Sequence, residues 1–405
     1  MRIIKERYLD FFSPQLVSIL QLAAADGPLF PTLKTLILLR VFDEPISLIP
    51  LFLSPMITTI NIEFLTERCE IIPIITTLPS LCPNLQKIHL TSLFAERMIT
   101  AAVSELALKT NRNTLQSFCT NCPLTEEAYK VICEHPGLRE FGNSIYGSTV
   151  LPTLVLPSLT VLHIKYLGGH DWLQCFSGAS LEKLTVSIIS TQCELSLAGN
   201  FLEAFQTIAL TTSLPTTLSE FSFYTEHPWR PIYRSLLPFT QLQFLSVQGY
   251  CYPNCSSTVD DDIVIDLARA MPHLQVLQLG GDPCGEPGGV TIRGLTALAH
   301  YCPHLVNLTI HFQMDTLHPL ATARRALAEK TNVPVPQACA LRILRVGSAF
   351  PPEEPMSMVK IMFTLLNVFP NLESIVPDDD NHEWDGVGEA LRGWLIRGLS
   401  EKCRF

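Results

Sequence analysis

Apolar and polar positions follow one skeleton along most of the chain. Tyr301–Ile310 reads YCPHLVNLTI, in which Pro303, Leu305, Leu308 and Ile310 give P-x-L-x-x-L-x-L. The same frame recurs as PTLKTLIL from Pro31, PNLQKIHL from Pro83, PSLTVLHI from Pro157 and PHLQVLQL from Pro272. The last two apolar positions are two residues apart, the period of a strand with one buried face. The leading leucine enters the core one bend earlier. The proline has no N–H to donate and a fixed φ, which suits a corner closing a helix and opening a strand.

Aligned on the leading apolar residue, the repeats begin at Leu33, Ile57, Leu85, Leu115, Leu138, Leu159, Leu181, Leu218, Leu242, Leu274, Leu305, Leu341 and Leu372. Their spacings run from 21 to 37 residues. Phe118, Phe141, Phe221 and Phe223 replace core aliphatics, and Pro377 occupies a core slot of the last unit, which is expected to be irregular. Helical stretches fall between strands: Asp261 and Asp262 open one, Thr291–Tyr301 is a second and Met358–Phe369 a third. One strand, turn, helix and proline corner cannot bury its apolar face alone, so the units must stack. The predicted fold is an α/β solenoid, a single array with parallel strands on its concave face and helices on its convex face.

Three segments follow. Residues 1–28 are predicted as an N-terminal capping helix, with Ser13-Pro14 as its start and Leu16, Ile19, Leu20 and Ala23 on one face. Residues 29–376 hold the solenoid. Residues 377–405 hold an acidic loop and a C-terminal capping helix, Glu389–Leu399, with Leu391, Trp394, Leu395 and Leu399 as its stripe.

Composition narrows the function. A formal net charge of −10 over 405 residues argues against sequence-independent nucleic-acid binding. Prolines break every long apolar run, so no membrane span is expected, and no apolar stretch near Met1 has the form of a secretory signal. The 13 cysteines are odd in number and scattered, which implies reduced thiols and a cytoplasmic or nuclear location.

The CPNLQKIHL and CPHLVNLTI stretches, each a cysteine and a proline before L-x-x-L-x-L, resemble the cysteine-containing leucine-rich repeats of F-box proteins. The irregular spacings and phenylalanine substitutions are similar to the fungal F-box/leucine-rich-repeat group. The resemblance spans Pro31 to Pro377. It implies a leucine-rich-repeat horseshoe that acts as the substrate-binding arm of a cullin-RING ubiquitin ligase and captures a protein without catalysing a reaction. It also implies contact with the ligase adaptor if an F-box lies upstream, because Met1–Phe30 contains no Leu-Pro-x-Glu opening. The alternative is an autonomous regulator that wraps a partner enzyme with no ligase membership. The turn position that favours Asn or Cys in that family holds Val41, Leu65, Leu93, Leu167, Tyr250 and Asp282, so different turn bonding is expected.

Motifs for chemistry are weak. Cys119-x-x-Cys122, with Cys133 and His135, offers thiolates for a metal corner, but these positions read as repeat thiols. No metal, cofactor or catalytic residue is assigned. Cys82 and Cys302, before the repeat prolines, read as packing at helix ends. The Gly280–Gly289 loop lacks the lysine of a phosphate loop.

The outward strand positions align as one row: His89, Cys119, His163, Thr185, Ser222, Ser246, Gln278, Thr309 and Arg345. Thr91, Lys165, Tyr224, Gln248 and His311 flank it. Insertions after the strands of the C-terminal half carry Trp229, Tyr250, Tyr252 and Trp384, and such aromatics dominate binding hot spots. The expected partner-binding residues are Tyr224, Trp229, Tyr250, Tyr252, Gln248, Gln278, His311 and Arg345, for a protein partner and neither nucleic acid nor membrane.

Overall fold

The computed structural model describes residues 3–6, 19–20, 22–23, 27–41, 46, 48–65, 70–92, 99–111, 113–146, 156, 158–167, 179–188, 205, 214–225, 230–249, 259–280, 289–312, 339–346, 355–377, 391 and 393. It is a mixed α/β structure of parallel strands and intervening helices, divided into two compact units. One comprises Met1–Ile189 and Glu194–Ala204, the other Ser190–Cys193 and Phe205–Phe405.

In the first unit the order is β1 (Ile3–Glu6), β2 (Thr35–Val41), α1 (Ile49–Phe52), β3 (Thr59–Phe64), α2 (Ile71–Leu81), β4 (Lys87–Ser92), α3 (Thr100–Lys109), β5 (Ser117–Thr120), α4 (Glu126–Cys133), β6 (Glu140–Tyr146), β7 (Val161–Leu167) and β8 (Lys183–Ile188). Each strand pairs in parallel with the next in sequence. The second unit runs α5 (Leu214–Thr217), β9 (Glu220–Thr225), α6 (Arg230–Leu236), β10 (Phe244–Gly249), α7 (Asp261–Ala270), β11 (Val276–Leu279), α8 (Ile292–Tyr301), β12 (Asn307–Ile310), β13 (Ile343–Val346), α9 (Pro355–Val368) and β14 (Ser374–Pro377). Its strands also pair in sequence order. Helices pack on their sequence neighbours, α2 on α3, α3 on α4 and α7 on α8.

The skeleton explains this order. Every leading residue from Leu33 to Leu372 is at most 3% exposed, as are second-position residues such as Ile88, Phe118, Leu245 and Leu277. Phe118, Phe141, Phe221 and Phe223 are buried as expected. In most repeats the two spacer amides of the L-x-x-L step donate to one carbonyl in the preceding repeat. Gln86 and Lys87 reach the Thr58 carbonyl at 2.8 and 3.0 Å, and Gln275 and Val276 reach that of Gln243 at 2.7 and 3.0 Å. The residue after the corner proline adds a side-chain rung. Asn84 donates to the Pro55 carbonyl, Ser158 to that of Pro136 and Asn371 to that of Cys339.

Several expectations change. Ile3–Glu6 is a strand ahead of the first predicted repeat. Ile19, placed on the packed face of an N-terminal helix, is 62% exposed; the rest of that helix lies largely outside the described residues. Of the C-terminal stripe only Leu391 is described, and it is buried. Pro377 does not disrupt its strand, because β14 pairs with β13 through Val346 and Pro377 at the edge of the order, where a missing donor is tolerated. Arg40 takes φ 59° where the β2–β3 register shifts between Leu38 and Val41. Among the described residues no helix is long and apolar enough to cross a membrane.

Helix entry in the second unit is tied from repeat to repeat. Asp260 caps α7 by accepting from the Ile263 amide at 3.0 Å. Asp261 reaches the start of α8, where it accepts from the Thr291 and Gly294 amides at 2.7 and 2.9 Å and from the Thr291 hydroxyl at 2.6 Å. Asp261→Ala leaves these donors unpaired and is expected to cost about 1–3 kcal/mol, measured by urea unfolding. A change within error would show that water replaces the carboxylate freely.

Candidate interaction surface

Strand pairing sets the outward residues side by side. In the second unit Ser222, Ser246, Gln278, Thr309 and Arg345 occupy one continuous register across β9 to β13. Tyr224 lies beside Gln248 one rung further on. Gln278 joins the rows, since its Oε1 accepts from Ser246 Oγ at 3.0 Å and from Gln248 Nε2 at 3.2 Å. Beside it is a hollow of about 300 Å³, lined among others by Gln248, Gln278, Asn307, Thr309 and Arg345. Arg345 is exposed and pairs with no acid among the described residues. Ser246 is fully buried and Ser222 nearly so, so neither offers the exposed strand position expected of it.

His311 follows β12 and lies against Gly280, which has φ +133°. A Cβ on Gly280 would meet His311 Cδ2 at 2.5 Å. Gly280→Ala therefore incurs both backbone strain and a displaced imidazole, with an expected loss of about 1–3 kcal/mol. An unshifted thermal melt would mean that the β11 exit relaxes without cost.

Trp229, Tyr250, Tyr252 and Trp384 lie outside the described residues. Part of the first insertion is not a loop at all. Arg230–Leu236 is helical, and Ile232 and Tyr233 are 2% exposed.

In the first unit the register runs His89, Cys119, Gly142, His163 and Thr185. Glu140, on the rung two residues before Gly142, sits between the two histidines. His163 Nε2 is 3.5 Å from Oε1, and His89 Nε2 is 3.7 Å from Oε2. His89 Nε2 is also 3.0 Å from Ser117 Oγ. Hydrogen bonds from His163, then His89, hold the Glu140 carboxyl far below the ordinary glutamate range, against the opposing effect of burial. A depressed folded pKa means stability that is present above the ordinary value of 4.5 and lost as pH falls toward the folded value. In chelator-containing buffer, Glu140→Gln is expected to cost about 1–2 kcal/mol at neutral pH, after allowance for partial exposure. The gap from the native chain should close on acidification; a gap independent of pH would contradict this.

Cys82, Cys119, Cys302 and Cys339 are free thiols. Cys82 and Cys302 cap helices α2 and α8, and Cys302 Sγ lies 3.6 Å from the Ala268 and Met271 carbonyls. Burial pushes the Cys82 thiol up to about 11 and the Cys302 thiol to about 12, so both stay protonated at helix ends and are poor nucleophiles.

Comparison with protein-family models and with curated proteins gives no match.

The turns are satisfied in ways the aligned turn positions did not indicate. Asn121 exchanges two hydrogen bonds with the Ser92 backbone, at 2.7 and 2.8 Å. Asn143 is buried, donates to the Cys122 carbonyl and accepts from the Tyr129 hydroxyl. A polar residue two or three positions after the second core residue was the available signal.

Proposed function

We propose that the chain is a leucine-rich-repeat solenoid whose strands line a concave face and whose helices form the convex one, and that this face binds a protein without catalysing a reaction. The repeated two-amide step between successive repeats supports the solenoid. The in-register row Gln278, Thr309 and Arg345, beside the hollow shared with Gln248, carries the recognition reading. Its amide, hydroxyl and guanidinium groups offer mixed donors and acceptors with one positive charge rather than a basic patch. That fits a mixed protein surface better than a phosphate backbone, as does the net charge of −10.

Following the resemblance, the bound protein is a substrate held for a cullin-RING ubiquitin ligase. The second reading is an autonomous regulator of a partner enzyme.

Immunopurification of the native chain beside a Gln278→Ala, Arg345→Glu variant tests the recognition reading. The native chain should recover a specific protein, with recovery from the variant reduced about tenfold or more under conditions where circular dichroism shows the variant folded. Equal recovery would refute the surface. Co-purification of a cullin adaptor with the native chain supports ligase membership, and its absence supports the regulator.

A further inference from the structure

Three adjacent strands of the first unit bring a nitrogen, a sulfur and an oxygen ligand together. A ring nitrogen of His89 on β4, Cys119 Sγ on β5 and a carboxylate oxygen of Glu140 on β6 all lie within 4.8 Å of one another. His89 pairs in register with Cys119, while Glu140 pairs with Ser117 two residues earlier on β5. The side chains are rooted in one ladder, so the strand spacing of about 4.8 Å fixes their approach. All three are half-buried, which partly desolvates them while leaving a path for an ion.

Gly142 adds a second observation. It occupies the rung between Cys119 and His163, where Asn61, His89, His163 and Thr185 carry side chains. A Cβ there would stand 3.0 Å from Cys119 Sγ. Glycine leaves open the space that the sulfur borders.

We propose that His89 Nε2, Cys119 Sγ and Glu140 Oε2 bind one divalent ion of the zinc class, with the fourth position open to solvent. A mixed imidazole, thiolate and carboxylate set suits zinc or cobalt and does not suit magnesium or calcium. Zinc bonds of about 2.0–2.2 Å to nitrogen and oxygen give a tetrahedral N···O edge of about 3.3–3.5 Å. The 3.7 Å between His89 Nε2 and Glu140 Oε2 needs only a small shift to reach that edge. His163, 3.5 Å from Oε1, is a positioning residue that orients the carboxylate from outside the coordination sphere. On binding, the Cys119 S–H bond breaks, the sulfur lone pair goes to the metal and the proton leaves to solvent. His89 supplies its neutral ring nitrogen and gives up its contact with Ser117. This site differs from the Cys119, Cys122, Cys133 and His135 grouping weighed from the sequence, and it stands whether or not the protein-recognition reading holds.

The test is a titration of the chelator-stripped full chain with Co²⁺ and then Zn²⁺. One equivalent of Co²⁺ should produce a thiolate-to-cobalt charge-transfer band, and one equivalent of Zn²⁺ should abolish it. Cys119→Ser should lose the band, and His163→Ala should weaken binding about 10–100-fold with the band retained. Absence of the band in the native chain, or its persistence in Cys119→Ser, overturns the proposal. Should Cys119→Ser fail to fold by circular dichroism, the near-isosteric Glu140→Gln decides. A loss of Co²⁺ affinity of about tenfold or more supports the site, and unchanged affinity overturns it.

Discussion

Leu277→Ala should lower the unfolding free energy by about 2–5 kcal/mol, the range for a large aliphatic truncated in a packed core. Leu277 is 0% exposed and sits in register between Leu245 and Leu308, which are equally buried. The void would be walled by strands on both sides, whose mutual hydrogen bonds resist collapse. Urea unfolding should show a lower midpoint with an unchanged slope. Gln278→Ala, on the same strand but the opposite face, should cost about 1 kcal/mol, the value of the hydrogen bonds lost. Equal effects at the two positions would contradict the assignment of buried and outward faces.

Phe221→Ala should be at least as damaging, about 3–5 kcal/mol. Its ring is 5.3 Å from that of Phe205, which stacks on Phe239 at 4.9 Å, and 6.3 Å from Phe223. All of these are buried. Removing Phe221 strips Phe205 of one neighbour and opens a cavity next to β10. Phe221→Leu should cost much less, because Leu245 fills the equivalent slot one strand away. Thermal or urea unfolding checks both. A Phe221→Ala chain as stable as the native one would mean that the aromatic cluster is not part of the core.

The core was legible because each repeat states it separately. Leu33, Ile57, Leu85 and their successors are spaced by the geometry of one strand and one corner, and variable helix lengths do not alter that local step. The same periodicity placed Gln278, Thr309 and Arg345 on one outward row, since alternation along a strand leaves no other choice of face. The strand at Ile3–Glu6 was not legible: it is short, lacks the proline corner and, among the described residues, pairs with β2 alone. Ser246 reads as outward by alternation, yet it is buried, because exposure depends on what covers the strand as well as on the face it occupies. The burial of Ile232 and Tyr233 was hidden for the reverse reason, as YTEHPWRPIYR has the prolines and polar residues of a loop. The His89, Cys119 and Glu140 cluster was half visible. His89 and Cys119 share the aligned row, but Glu140 is a spacer residue of its repeat and reads alone as a solvated charge. Only the parallel pairing of β4 to β7, which sets Glu140 on the rung two residues before that of His89 and His163, carries its carboxylate to both histidines.

The most direct test of the recognition surface is site-specific photo-crosslinking in cells, with a photoreactive residue at Thr309 on the outward strand face or at Asp266, which is exposed on α7. The expected result is a discrete protein adduct from Thr309 that is absent from Asp266 and is lost in the Gln278→Ala, Arg345→Glu background. Adducts of the same protein from Asp266 alone, or none from Thr309, would contradict recognition through the strand face.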